Sequence, residues 1–302
     1  MTKVNIKQTS PKGTIMILLA TLIWGTGWSI NSAAMDILGP FSYNAGRFFV
    51  GGCAALCISL IMRKHGKAGE ITRGQRIGTL KAGLILGGIL FVSVTFQQFG
   101  LVFTTVAKAG FITSLYVVAV PLASLFFGRK ARIWVWLGVA LAIIGMYFMS
   151  LSGVTEVNPG DMLVLVCAIS YAAQILAVDH FSPKFNPVPL AYTQFFLTSA
   201  LSLMMALIFE RPAIAAYISA AGHILFTGML GSGAAYILQM LGQRTTDPTI
   251  ASIMFSQEAV IAAFVGWLWL GEILTPRELL GCGLVFAAVL VSQIKFERKE
   301  GI

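Results

Sequence analysis

GQRTTDPTIASIMFSQEAVIAAFVGWLWLGE, residues 242–272, sets one basic residue, Arg244, ahead of an apolar run from 249 to 270 whose only acid is Glu258. A helix rising about 1.5 Å per residue crosses a hydrocarbon core about 30 Å thick in roughly 20 residues. The segment therefore predicts a membrane-spanning helix with a carboxyl group near its midpoint. Working outward, comparable runs occupy 13–34, 41–62, 78–103, 107–127, 133–151, 162–178, 188–209, 224–241 and 279–294. Each must satisfy its own backbone hydrogen bonds in lipid, which a helix does and an open strand does not. The expected fold class is an all-α polytopic membrane protein with ten transmembrane helices.

The gaps between these runs carry the orientation. Only Arg211 and Arg277 fall in one set of alternate gaps, and Arg47 and Lys108 stand inside helices; the other seventeen of the 21 Lys and Arg lie in the opposite set. These include Lys3, Lys7, Lys12, Arg63, Lys67, Lys130, Lys184, Arg244, Lys295, Arg298 and Lys299. The positive-inside rule then places both termini in the cytoplasm of a multi-pass plasma (inner) membrane protein. With 57% apolar and 11% charged residues, the chain leaves no length for a soluble domain. Its net charge of +9 reads as topology and contact with anionic lipid headgroups. Nucleic-acid binding is disfavoured, because the short loops do not combine a basic cluster with readers of bases.

The first run resembles a secretory signal in its flanking lysines and in Ser32, Ala33 and Ala34, but it is too long, and it is read as an uncleaved first span. Cys53, Cys57, Cys167 and Cys282 all lie in apolar runs without a His or acid beside them, so they read as buried small hydrophobes rather than metal ligands.

Ten spans divide as five plus five, and an odd number per half inverts the second half against the first. The expected halves are 1–152 and 153–302, two inverted five-helix repeats in one integral membrane unit. A shift of 142 positions lays 100–130 on 242–272 without gaps: Gly100 meets Gly242, Thr104 meets Thr246, Ala109 meets Ala251, Ser114 meets Ser256 and Val118 meets Val260. Gln97 meets Gln239 one turn upstream, and Tyr116 meets Glu258. Gly83, Gly87 and Gly88 in the third span and Gly228, Gly231 and Gly233 in the eighth allow either close helix approach or backbone facing a cavity.

The stretches WGTGWSINSAA at 24–34, the arginine of GRFF at Arg47, TTVAKAGFITSLYVVAVPL at 104–122 and the segment 242–272 together resemble the ten-helix EamA-type branch of the drug/metabolite transporter superfamily. The resemblance covers nearly the whole chain. It implies a five-plus-five inverted repeat around a central cavity walled by the first, third, fourth, sixth, eighth and ninth helices. Members commonly export amino acids or other small metabolites. This chain departs from the family where Glu in the ninth helix is often followed by Pro: Glu258 is followed by Ala259, which puts the bend there in doubt.

A charge at the bilayer midplane is expensive, so Glu258 is expected to face a cavity, hold a proton or have a cationic partner. Lys108, at the outer end of the fourth span, either meets a substrate carboxylate or phosphate, pairs with an acid, or snorkels to the interface. Its axial separation from Glu258, roughly 12 to 15 Å, argues against a resting contact between them. Arg47 keeps its charge at any depth and is read first as a helix-packing clamp and second as a gate. The neutral set Trp24, Asn31, Gln97, Gln98, Tyr116, Tyr171, Gln174, Tyr236, Gln239 and Gln257 lies in the helices assigned to the cavity, where amide and hydroxyl groups avoid an unpaired place in lipid. Asp179, His180 and His223, near helix ends, are expected to be solvated.

No phosphate loop, metal-spaced cluster or nucleophile with an adjacent base is evident, so an enzyme is disfavoured and no cofactor or metal is expected. The leading expectation is a secondary transporter exporting small polar metabolites, amino acids among them, by alternating access, with proton coupling through Glu258 as an option. One alternative is an importer or facilitator of an organic cation, caged by aromatic rings. The other is a non-transporting membrane receptor.

Overall fold

The computed structural model describes residues 10–65, 72–129, 131–150, 158–270 and 274–294, and among them every regular element is a helix. The boundary expected at 152/153 lies outside the described residues, as do Lys3, Lys7, Lys67, Lys130, Lys295, Arg298 and Lys299.

The helices are α1 (Pro11–Met35), α2 (Pro40–Lys64), α3 (Arg73–Phe103), α4 (Val106–Thr113), α5 (Tyr116–Phe126), α6 (Ile133–Ser150), α7 (Pro159–Phe181) and α8 (Pro187–Phe209). There follow α9 (Ile214–Ser219), α10 (Ala221–Phe226), a π-helical stretch (Thr227–Ala234), α11 (Ala235–Gln243), α12 (Pro248–Phe255), α13 (Gln257–Leu270) and α14 (Pro276–Ser292). Local sequence sets the starts. Ser10, Asn158, Asn186, Asp247 and Thr275 each accept a backbone N–H as N-cap ahead of a proline in the first turn. The cap satisfies an orphan donor, and the proline has no donor to leave unpaired. Asn158 with Asp161 and Thr275 with Glu278 complete reciprocal capping boxes.

Among the described residues seven helical stretches are long and apolar enough to cross a membrane: Pro40–Lys64, Arg73–Phe103, Lys108–Phe126, Pro159–Phe181, Pro187–Phe209, Ala221–Gln243 and Pro248–Val265, with Ile133–Met149 a shorter apolar helix. Their outer faces stay apolar: Leu60, Ile144, Leu207 and Phe286 are exposed on α2, α6, α8 and α14. So broad an exposed apolar surface is a liability in water and the normal condition in lipid. Cys57 belongs to this exposed face rather than to the interior expected of it, because α2 turns that side outward.

Long seams join α6 to α14, α2 to α8, α3 to α7 and α8, and α1 to α11 and α13. Glycines set two of these distances. A Cβ on Gly145 would stand 2.7 Å from the Gly281 carbonyl oxygen, and one on Gly242 would stand 2.9 Å from that of Gly13. The glycines of the third span divide between roles: Gly83 and Gly87 pack against α8, while Gly88 meets open space. In the π-helical stretch Gly228 packs on α2, whereas Gly231 faces the cavity.

Of the four apolar clusters among the described residues, two are large. One gathers buried residues of α5, α6, α7, α12 and α14, such as Val117, Met146 and Phe255; the other gathers Phe48, Leu86, Phe195 and Met240 from α2, α3, α8 and α11. Trp24 and Tyr171 pack against both clusters. The gap between the clusters is where the polar groups collect.

Candidate functional site

The fourth and ninth apolar spans are each broken at the residue the 142-position shift aligns. α4 ends before Ser114 and α12 before Ser256. Both breaks are tightened turns, with Val117 N donating to Ser114 O at 3.0 Å and Ala259 N to Ser256 O at 3.3 Å. At the second break Ser256 Oγ also donates to Ile253 O at 2.6 Å, a back-bond that bends helices. The helix is therefore interrupted here without a proline, at Ser256. The two breaks set Tyr116 at the start of α5 and Glu258 in the first turn of α13, where free N–H groups favour a carboxylate.

Glu258 faces a cavity with about 800 Å³ of empty space, its open mouth included. The lining draws Trp24, Trp28 and Asn31 from α1, Arg47 from α2, Gln97 from α3, and Tyr116, Tyr171 and Gln174 from α5 and α7. Thr227, Gly231 and Ser232 come from the π-helical stretch, and Tyr236 and Gln239 from α11. A π-helix is wide and exposes backbone, a feature that recurs at functional sites. Here Trp24 Nε1 donates to the Gly231 carbonyl at 2.9 Å. The Trp24 ring meets Tyr236 edge-on at 5.0 Å and Phe255 at 5.6 Å, forming an aromatic wall.

Ten of the residues singled out in sequence thus line one space: Trp24, Asn31, Arg47, Gln97, Tyr116, Tyr171, Gln174, Tyr236, Gln239 and Glu258. Tyr171 donates to Gln97 Oε1 at 3.1 Å, and Gln174 donates to Gln194 Oε1 at 3.2 Å. Three others lie elsewhere. Lys108 pairs with Asp161 at 2.5 Å, and both are buried. Asp161 is fixed by Thr104 and by the Asn158 backbone, each at 2.9 Å, so this pair bolts α4 to the start of α7. Gln98, one residue past Gln97, turns about 100° away around α3 and is fully buried outside the lining. Gln257 donates to Val285 O at 2.6 Å and ties α13 to α14. Asp179 is not solvated: it is 3% exposed and pairs with Arg129 at 2.6 Å, because α7 carries it in against the end of α5.

Arg47 does not clamp to an acid. Its Nε donates to Asn44 on its own helix at 3.0 Å, and among the described residues its side-chain hydrogen bond to another helix is Nη1 to Asn31 Oδ1 at 3.4 Å. Sequence reading missed Trp28, whose indole N–H donates to Glu258, and also Thr113, Thr227, Ser232, Phe226 and Phe255. Trp28 follows Trp24 by one helical turn, and that spacing was the available signal.

A family model described as the EamA-like transporter family matches residues 11–151 and 158–293. An "Uncharacterized transporter" of Archaeoglobus fulgidus is 32% identical over 285 residues, covering 92% of this chain and 85% of its own. The "Uncharacterized inner membrane transporter YedA" of Escherichia coli is 26% identical, covering 91% and 89%. The "Threonine/homoserine exporter RhtA" of the same organism is 27% identical over 242 residues, covering 77% and 76%. A solved structure titled only "Crystal structure of protein" superposes with a TM-score of 0.78 at 19% identity, covering 93% of this chain and 96% of that one, a likeness of fold.

Proposed function

The chain belongs to the EamA-like transporter family, and from that premise we propose that it is a ten-helix secondary transporter exporting small polar metabolites, amino acids among them, by alternating access. Membership itself makes it a multi-pass membrane transporter, and it supports a small-molecule substrate and a role other than catalysis. In this reading residues 1–152 and 153–302 are inverted repeats. The two ranges matched by the family model and the aligned breaks at Ser114 and Ser256 support that division. Both termini are cytoplasmic, on the distribution of Lys and Arg.

The observation that carries the reading is Glu258. It faces the cavity beside Trp28, and it has no cationic partner among the described residues. A carboxyl kept at membrane depth without a counter-charge suits a group that takes up and releases a cation, whether proton or ammonium. The identity of RhtA as an amino-acid exporter supports the same substrate class. The aromatic rings of Trp24, Trp28, Tyr236 and Phe255 on the same wall favour a second reading, an importer or facilitator of an organic cation held by cation–π contacts.

The test is flux in proteoliposomes loaded with a pH dye, screening amino acids and organic cations against wild type and Glu258→Gln. Substrate-dependent proton movement that vanishes in the variant is the expected result. Unaltered transport and pH dependence in Glu258→Gln would remove Glu258 from the mechanism.

A further inference from the structure

The cavity has a second charge, and its surroundings do not spend it. Arg47 is 7% exposed and faces the same space as Glu258. Its guanidinium carbon stands 5.2 Å from the centre of the Tyr43 ring and 4.8 Å from that of Phe48. Asn44 and Asn31 take two of its donors, the second at a long 3.4 Å, and no carboxylate pairs with it among the described residues. Asn31 is itself held, since Tyr43 donates to its Oδ1 at 2.6 Å. A guanidinium stays charged at any depth and presents five N–H donors in a plane that matches a carboxylate. Flanking rings and amides fix that plane without neutralising it.

Lys108 was the other cation available to bind an anionic group, but Asp161 holds it outside the cavity lining. Among the lining residues Arg47 is therefore the basic group and Glu258 the acidic one, and no contact joins them. The remaining polar side chains of the lining, among them Gln97, Gln174, Gln239 and three tyrosines, are neutral.

We propose that Arg47, braced by Asn31, Asn44 and the Tyr43 and Phe48 rings, is a carboxylate subsite. It takes the anionic end of the transported molecule while Glu258 takes its ammonium. The cavity then selects zwitterions whose side chain is uncharged, and it rejects molecules bearing either charge alone. This rests on the transport reading above and narrows it: a simple organic cation would leave Arg47 buried and unpaired, the arrangement that penalises a ligand most.

The experiment uses the full chain in proteoliposomes and compares three chemical forms of each neutral amino acid: the free amino acid, its methyl ester and its N-acetyl derivative. Uptake and competition should favour the free form of at least one amino acid over both derivatives by about tenfold or more, the effect of one lost charged hydrogen bond. Arg47→Gln should erase the preference over the ester, weakening the free amino acid and relieving the penalty on the ester; Arg47→Lys should retain part of it. The wild-type comparison needs no substitution, so a variant that fails to fold does not remove the test. Esters that compete as well as the parent amino acids would overturn the subsite, as would an Arg47→Gln that weakens both forms equally, the signature of a packing clamp. Flux of cations or anions without zwitterions would overturn the subsite and leave the transporter standing. No flux for any class would overturn both.

Discussion

Glu258 and Trp28 show how one hydrogen bond joins distant parts of the chain, since 230 positions separate them. Trp28 is 5% exposed, so Trp28→Phe keeps a buried aromatic ring but deletes the donor together with part of the ring's volume. A hydrogen bond to a charged group is worth about 1.5–3 kcal/mol, and transport by Trp28→Phe should fall about 10- to 100-fold. In the Glu258→Gln background the same substitution should have much less effect; equal losses in both backgrounds would show that the indole acts by packing alone. Lys108 and Asp161 make a different kind of contact. Asp161→Asn removes the carboxylate that pairs with a buried ammonium and should destabilise the protein by up to about 3–5 kcal/mol. The double replacement Lys108→Met with Asp161→Leu should recover most of that. Thermal unfolding in detergent measures both. The sequence carried the polarity and depth of these side chains but not their partners. Glu258 was legible because one acid in an apolar run has few places to go. The surroundings of Arg47 were not, because they depend on which groups other helices bring to it.

Elements are set by local rules and joined by surfaces. The caps at Ser10, Asn158, Asn186, Asp247 and Thr275 mark starts that any reader of the sequence can find, as a polar residue followed by proline. Which glycines are indispensable is a matter of neighbours. On α14, a Cβ at Gly281 would stand 2.6 Å from the Gly145 carbonyl oxygen, while one at Gly283 would meet nothing within 4 Å. Gly281→Ala should therefore destabilise the protein by about 1–3 kcal/mol through overpacking of a backbone seam. Gly283→Ala should instead stabilise it by about 0.5–1 kcal/mol through helix propensity. Unfolding midpoints for the two variants should move in opposite directions, and a shared direction would mean that the seam yields. The broken helices carry the same lesson: the ninth span is interrupted at Ser256, whose hydroxyl bonds back to Ile253 O, although the family's proline is absent there.

For the molecule as a whole, the proposed orientation predicts that Arg211→Cys and Arg277→Cys, in a background without other cysteines, react with an impermeant thiol reagent in intact cells. Lys12→Cys and Arg63→Cys should react only after permeabilisation, and the reverse pattern would invert the topology. Alone, the sequence determined the solvent, the helical class and the periodicity of the chain, because a run of apolar side chains about 20 residues long has one stable form in lipid and its flanking charges are read by the membrane itself. It also determined that polar groups at membrane depth must find shelter. Tertiary structure decided which of them share a shelter. Ten of the thirteen candidates converge between the two larger apolar clusters, while Lys108 and Gln257 are held by partners on other helices and Gln98 is buried away from the lining by one step of helix rotation, its amide without a hydrogen-bond partner among the described residues. That outcome depends on how helices rotate and approach one another, which is fixed by packing between segments far apart in sequence, at seams such as those of Gly145 with Gly281 and Gly13 with Gly242.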